Sequence, residues 1–201
     1  MIRVAEEFVS LQGEGQHIGR PMYFVRLAGC SVISCLMHPK QLGTCDSDWQ
    51  SGRMHGVEDV AARCFDSGVP WVCITGGEPT DQPEALAELI CRVRRAQRVS
   101  VQTAGRRAIA APVDSLCVSP KGLKGRAIQG QITHEIKVTA APGVDVEYLK
   151  AIRSGYPASS YYVVPYDDGG EILEGAAVDL VLAAGDPWRL SLQSQKYAKI
   201  R

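Results

Sequence analysis

Along this chain the spacing of apolar residues keeps switching between a strand period of two and a helix period of about 3.6. That alternation confines it to an α/β fold around a mostly parallel sheet. The pattern predicts strands over Val4–Leu11, Met22–Leu27, Pro70–Ile74, Val99–Thr103, Ser115–Val118, His134–Val138, Ser160–Val164 and Arg189–Gln193. Helices are expected over Val57–Ser67, Pro83–Ala96 and Val146–Ser154, with a weaker period over Ala176–Ala184. Asp81 and Pro83 stand where a cap and a first-turn proline belong. Pro120–Gln131 reads as a loop and Tyr166–Gly170 as a turn. With 201 residues, 45% of them hydrophobic, the chain can bury one core, and a single domain over 1–201 is expected.

Charge removes several function classes. Lys plus Arg and Asp plus Glu are equal at 22 each, so nothing draws the chain onto a phosphate backbone, and nucleic acid is not expected as a partner. Arg3, Glu6 and Glu7 interrupt any signal-peptide pattern at the start, and no apolar run approaches the ~20 residues of a membrane helix. A cytoplasmic protein away from the membrane is the expectation. Seven cysteines in such a setting do not suggest a disulfide framework. Cys64, Cys73, Cys91 and Cys117 sit in apolar-patterned segments and read as small buried hydrophobes. Cys30, Cys35 and Cys45 share one loop and need another explanation.

Three thiolates on one loop can converge on a soft metal centre. A structural zinc site wants four protein ligands, and His38 offers a fourth beside Cys30, Cys35 and Cys45. A catalytic iron–sulfur cluster wants one iron left open for a cofactor. The loop alone leaves both readings standing.

Parallel strands joined by crossover helices carry their functional loops at the carboxyl ends of the strands. The informative segments fall there: Cys30 to Asp46 after one strand, Gly76-Gly77-Glu78-Pro79 after the next, Ser119-Pro120-Lys121 after a later one. Leu11-Gln12-Gly13-Glu14-Gly15, Gly19-Arg20-Pro21, Phe24-Val25-Arg26-Leu27-Ala28-Gly29-Cys30 and Cys45-Asp46-Ser47 resemble, in order and distance, the opening of the 7-carboxy-7-deazaguanine synthase family. Thr75 to Pro79, Ser119 to Lys121, Glu135-Ile136-Lys137 and Arg189 to Gln193 resemble later signatures of that family, so the likeness spans the chain.

The resemblance implies an incomplete β/α barrel of the radical S-adenosylmethionine type, homodimeric, and a lyase activity. The reaction is the ring contraction of 6-carboxy-5,6,7,8-tetrahydropterin to 7-carboxy-7-deazaguanine with loss of ammonia, in 7-deazapurine (queuosine-type) biosynthesis. It implies a 4Fe–4S cluster on Cys30, Cys35 and Cys45, Mg²⁺ on the Ser47 hydroxyl, and an external one-electron reductant such as flavodoxin or ferredoxin. S-adenosylmethionine would lie against Thr44, Cys45, Asp46, Gly77, Glu78, Ser119, Pro120 and Lys121, with Glu78 accepting from its ammonium. The pterin would lie against Leu11, Gln12, Gly13, Glu14, Arg26, Thr75 and Arg201, with Arg26 as a fork for its carboxylate. No acid–base catalyst is assigned.

The departures concern particular positions. The family's cysteine gaps of three and two residues are four and nine here, which leaves His38 as a rival to Cys35. Ser47 replaces a Thr, Val164 a Gln, and Gln195 the His of a Gln-Thr-His-Lys signature. Two other readings are an activase that makes a glycyl radical on a partner protein and a zinc-stabilised interaction domain. Gln12-Gly13-Glu14-Gly15 and the Gln193 segment argue against the first.

Overall fold

Wherever the expected period-two segments occur, a strand forms, and nearly all of them join one sheet. The computed structural model describes residues 1–32, 50–121, 131–167 and 172–200. Their sheet contains β1 (Ile2–Leu11), β2 (Pro21–Leu27), β3 (Arg53–His55), β4 (Trp71–Gly76), β5 (Arg98–Thr103), β6 (Ser115–Val118), β7 (Thr133–Thr139), β8 (Ala158–Val164) and β11 (Trp188–Leu190). The spatial order is β11-β8-β7-β6-β5-β4-β2-β1-β3. From β2 to β11 every neighbouring pair is parallel and each strand adds to the same growing edge, which is the winding of a β/α barrel left open. β1 pairs antiparallel with β2, and β3 with β1. β9 (Tyr166–Asp167) and β10 (Ile172–Leu173) form a separate hairpin.

Helices α1 (Val57–Asp66), α2 (Pro83–Val93), α3 (Val146–Gly155) and α4 (Glu174–Ala184) cover one face. In α1 the buried residues are Val57, Val60, Ala61 and Cys64, and in α2 Leu86, Leu89, Ile90 and Val93. Both follow i, i+3, i+4, i+7, so one stripe of each helix meets the sheet. The strands answer with Val25, Leu27, Val72, Ile74, Val99, Val101, Leu116, Ile136, Val138 and Val163 in the same core. Because side chains alternate across a strand, Arg26, Cys73, Cys117, Glu135 and Lys137 go to the opposite, helix-free face. That face also carries Met22, Phe24 and Trp71.

Several expectations are corrected. Asp81 does not cap α2: the cap position is Gln82, and the Asp81 carboxylate goes to Ser31. Cys91 is exposed, because the buried stripe of α2 runs through Leu89, Ile90 and Val93. Tyr166–Asp167 is a strand, and the last sheet strand stops at Leu190 because Gln193 leads into α5 (Ser194–Tyr197). Cys35, His38, Thr44, Cys45, Asp46, Ser47 and Arg201 lie outside the described residues.

Candidate active site

The carboxyl ends of the parallel strands are stitched to one another by backbone. β2 ends at Leu27 and the chain turns through Gly29, at φ 93°, into Cys30, whose thiol is partly exposed. After β4, Gly77 N donates to Leu27 O at 2.9 Å and Glu78 N to Gly29 O at 2.9 Å. Gly76 makes this approach possible: its φ is 116°, and a Cβ there would lie 2.3 Å from Leu27 O. The glycine-rich motif therefore lies against the start of the cysteine loop.

Glu78 is 1% exposed and its carboxylate is fully occupied by protein. Oε1 accepts from Thr80 N at 3.0 Å, Thr80 Oγ1 at 2.6 Å and Thr103 Oγ1 at 2.5 Å, and Oε2 accepts from Ala104 N at 2.7 Å. It ties the end of β4 to the end of β5, so the surface that the motif offers outward is backbone. The row continues as Ser119 N donates to Thr103 O at 2.8 Å and Lys121 Nζ to Ser119 Oγ at 2.9 Å. Pro120 is buried between them. At the cysteine loop itself, Ser31 donates from N and Oγ to the two Asp81 oxygens at 2.6 and 2.7 Å, while Arg106 donates to Ser31 O at 2.6 Å.

The helix-free face carries the second group of residues. Arg26 and Thr75 are register partners on neighbouring strands. Arg26 Nε lies 2.8 Å from Glu6 Oε1 as an ion pair without hydrogen-bond alignment, and its guanidinium sits 5.6 Å from the centre of the Phe8 ring. Gln12 is buried, its amide between Glu14 N at 3.2 Å and the Cys73 sulfur at 4.0 Å. Leu11 is 43% exposed.

From Gln12 the chain crosses this face to the segment after β11. Ser194 donates to Gly13 O from both N, at 3.0 Å, and Oγ, at 2.9 Å, and Gly15 N donates to Ser191 Oγ at 2.8 Å. Gly13 has no room for a side chain, since a Cβ would lie 1.6 Å from Gln195 Oε1. Glu14 pairs with Lys137 Nζ at 2.7 Å and accepts from Gln193 Nε2 at 2.8 Å. Burial alone would raise the Glu14 pKa, but the Lys137 charge and hydrogen bonds from Lys137, Gln193 and Gln195 outweigh it and hold it at about 2. Burial works against the Lys137 cation, yet the Glu14 and Glu135 carboxylates around it and the hydrogen bond to Glu14 raise its pKa on balance. Burial pushes the Cys73 thiol up to about 12 and Cys117 well above the ordinary value, so both are neutral.

No family model matches the chain. It is 33% identical to the 7-carboxy-7-deazaguanine synthase of Bradyrhizobium diazoefficiens, over 98% of this chain and 98% of that one. It is 30% identical to the synthase of the same name from Bacteroides thetaiotaomicron, with 100% of both chains covered. The chain belongs to the 7-carboxy-7-deazaguanine synthase family. The crystal structure of QueE from Escherichia coli has the same fold, at a TM-score of 0.69 with 21% identity, over 96% of this chain and 94% of that one.

In this member of the synthase family, the residues expected around S-adenosylmethionine that are described follow the ends of two strands, Gly77 and Glu78 against the start of the cysteine loop and Ser119, Pro120 and Lys121 after β6. Those expected around the pterin divide between the crossing segment, with Gln12, Gly13 and Glu14, and the β2–β4 pair, with Arg26 and Thr75. Asp81, Thr103 and Arg106 were given no such role from sequence, because each acts on a partner distant along the chain. In the sequence Lys137 is part of the Glu135-Ile136-Lys137 motif, and the sign of a role is a lysine in a central parallel strand between Ile136 and Val138, where a cation demands a partner.

Proposed function

We infer that this synthase-family chain is a radical S-adenosylmethionine lyase converting 6-carboxy-5,6,7,8-tetrahydropterin to 7-carboxy-7-deazaguanine with loss of ammonia. The observation that carries the reading, in a chain of this family, is the contact of the glycine motif with the cysteine loop through Glu78 N and Gly29 O at 2.9 Å. When bound, the 4Fe–4S cluster and S-adenosylmethionine supply the radical chemistry. The donor set fits them: the half-buried Cys30 stands just past the strand end, beside a glycine pair whose lack of side chains lets the β4 end lie against Leu27 and Gly29.

The chain's own residues bind and orient. Cys30, with Cys35 and Cys45, holds the cluster, and Glu78 fixes the motif whose backbone receives the cofactor's methionine end. Thr44, Asp46, Ser119, Pro120 and Lys121 complete the cofactor's surroundings. Arg26 and Thr75 take the substrate carboxylate side, and Gln12, Gly13 and Glu14 its amide-like edge, with Leu11 and Arg201 at the margin. Mg²⁺ on Ser47, a homodimer, a small electron-transfer protein as reductant and a cytoplasmic setting belong to the same proposal. No helix among the described residues is long and apolar enough to cross a membrane.

Anaerobically purified and reconstituted protein, given the tetrahydropterin, S-adenosylmethionine, Mg²⁺ and a reductant, should release 7-carboxy-7-deazaguanine and ammonia. Iron with acid-labile sulfide should accompany the activity. One zinc per chain with no turnover would return the cysteine loop to a structural role and end this reading.

A further inference from the structure

Lys137 is the buried cation of the helix-free face, and its environment is unusually complete. It lies on β7, its side chain is 8% exposed, and its Nζ reaches Glu14 Oε2 at 2.7 Å. The Glu14 side chain is 16% exposed, twice as open, and Gln193 Nε2 holds its other oxygen at 2.8 Å. Among the described residues, the other charged or titratable groups around this pair are Glu135 on β7, Cys117 on β6, Cys73 on β4 and Arg26 on β2. Glu135 is itself engaged by Gln16 N at 2.8 Å.

A buried ion pair is a poor stability device, because desolvating both charges costs about as much as their attraction returns. An apolar pair of the same volume would serve packing at least as well. What the pair supplies is a fixed acceptor. An ionised carboxylate offers roughly four lone-pair positions, and Lys137 and Gln193 take one on each oxygen. The Glu14 side chain keeps some exposure, and only a donor can occupy the positions left.

We propose that Lys137 is a positioning residue that holds Glu14 as a fixed carboxylate, making this corner of the site an obligate acceptor that selects a ligand edge carrying an amino donor. The inference rests on the pterin reading above, in which the 2-amino-4-oxo edge supplies that donor. A 2-oxo analogue sets a carbonyl against the carboxylate, where neither group can protonate to relieve the repulsion. Lys137 does not touch the ligand. Its effect passes through Glu14.

The test is a fluorescence titration of the full chain with two stable probes, 6-carboxypterin and 6-carboxylumazine, between pH 5 and 7.5. The parent should bind the pterin at least about 10-fold more tightly than the lumazine, with no loss of pterin affinity toward pH 5. In Lys137→Met, the charge that chiefly opposes burial is gone and the Glu14 pKa should rise into the titrated range, so pterin affinity should fall as pH is lowered. Lys137→Arg should restore the flat profile, a rescue and a pH signature that a merely structural lysine would not produce. Should Lys137→Met not fold, Lys137→Gln removes the same charge and should show the same acid-dependent loss. A parent that binds both probes equally, or charge-removed variants with flat profiles, overturns the proposal while turnover of the tetrahydropterin leaves the functional reading intact. A parent that neither binds the pterin nor converts the tetrahydropterin overturns both.

Discussion

Arg26 shows how one side chain serves two partners on the helix-free face. It is paired with Glu6 at 2.8 Å and lies over Phe8, which fixes its stem and orientation before any ligand arrives. Replacing it with lysine keeps the charge but removes the planar fork and the contact with the ring. Arg26→Lys should raise the apparent KM for the tetrahydropterin roughly 10-fold or more, with iron content and substrate-free cleavage of S-adenosylmethionine near parental. Parental kinetics would remove the carboxylate role, and an equal defect in cleavage without substrate would place Arg26 in folding instead. Arg26, Thr75, Gln12 and Glu14 stand out as candidates in the sequence because their motifs are local. Lys137 received no role there: its partner Glu14 is 123 positions away, and only the folded sheet brings the two together.

Among the elements, the short 3₁₀ turn Pro79–Asp81 after β4 links the glycine motif to the cysteine loop. Asp81 binds Ser31 through both oxygens, at 2.6 and 2.7 Å, while Glu78 at the head of the same turn secures β5. Asp81→Ala should release the start of the cysteine loop at little cost to the core. Iron and sulfide per chain should fall at least about twofold after desalting, with the far-ultraviolet circular dichroism unchanged. Full cluster retention would show that the clamp is dispensable. This is also where sequence reading was misled, since Asp followed two residues later by Pro is a local helix-start signature and the competing Ser31 lies 50 residues upstream. Helices α1 and α2 were legible from their i, i+3, i+4, i+7 stripes. β3, β9 and β10 were not, because strands of two or three residues carry too little alternation to register.

For the whole molecule, the buried pair of Glu14 and Lys137 sets a pH window for stability. Glu14 is held at about 2, below its ordinary 4.5, so its contribution is complete above about 4.5 and lost as pH falls toward 2. Lys137 is raised above its ordinary 10.5, so its contribution is complete below that value and lost as pH rises beyond it. Urea unfolding of the parent should therefore show stability declining from about pH 4.5 downward. Glu14→Gln should be less stable at pH 7 and show a shallower acid decline. Parallel curves for the two proteins would mean that the pair is not coupled to folding.

The crossing from Gln12 to Gly15 gives the open barrel a mechanical character of its own. A closed barrel joins its first and last strands by a continuous ladder, whereas here the join is a clasp, with Gly13 O, Gly15 N and the Glu14 carboxylate fastened to Ser194, Ser191 and Gln193. A clasp can part without unzipping sheet. Amide hydrogen exchange at Gly15 and Ser194 should accordingly be faster than at Ile74 or Val101 in the central strands, and should slow when the pterin fills the face beneath it. The join between the two ends of the barrel thus rests on a few hydrogen bonds, while the load of holding the fold stays on the strand ladder.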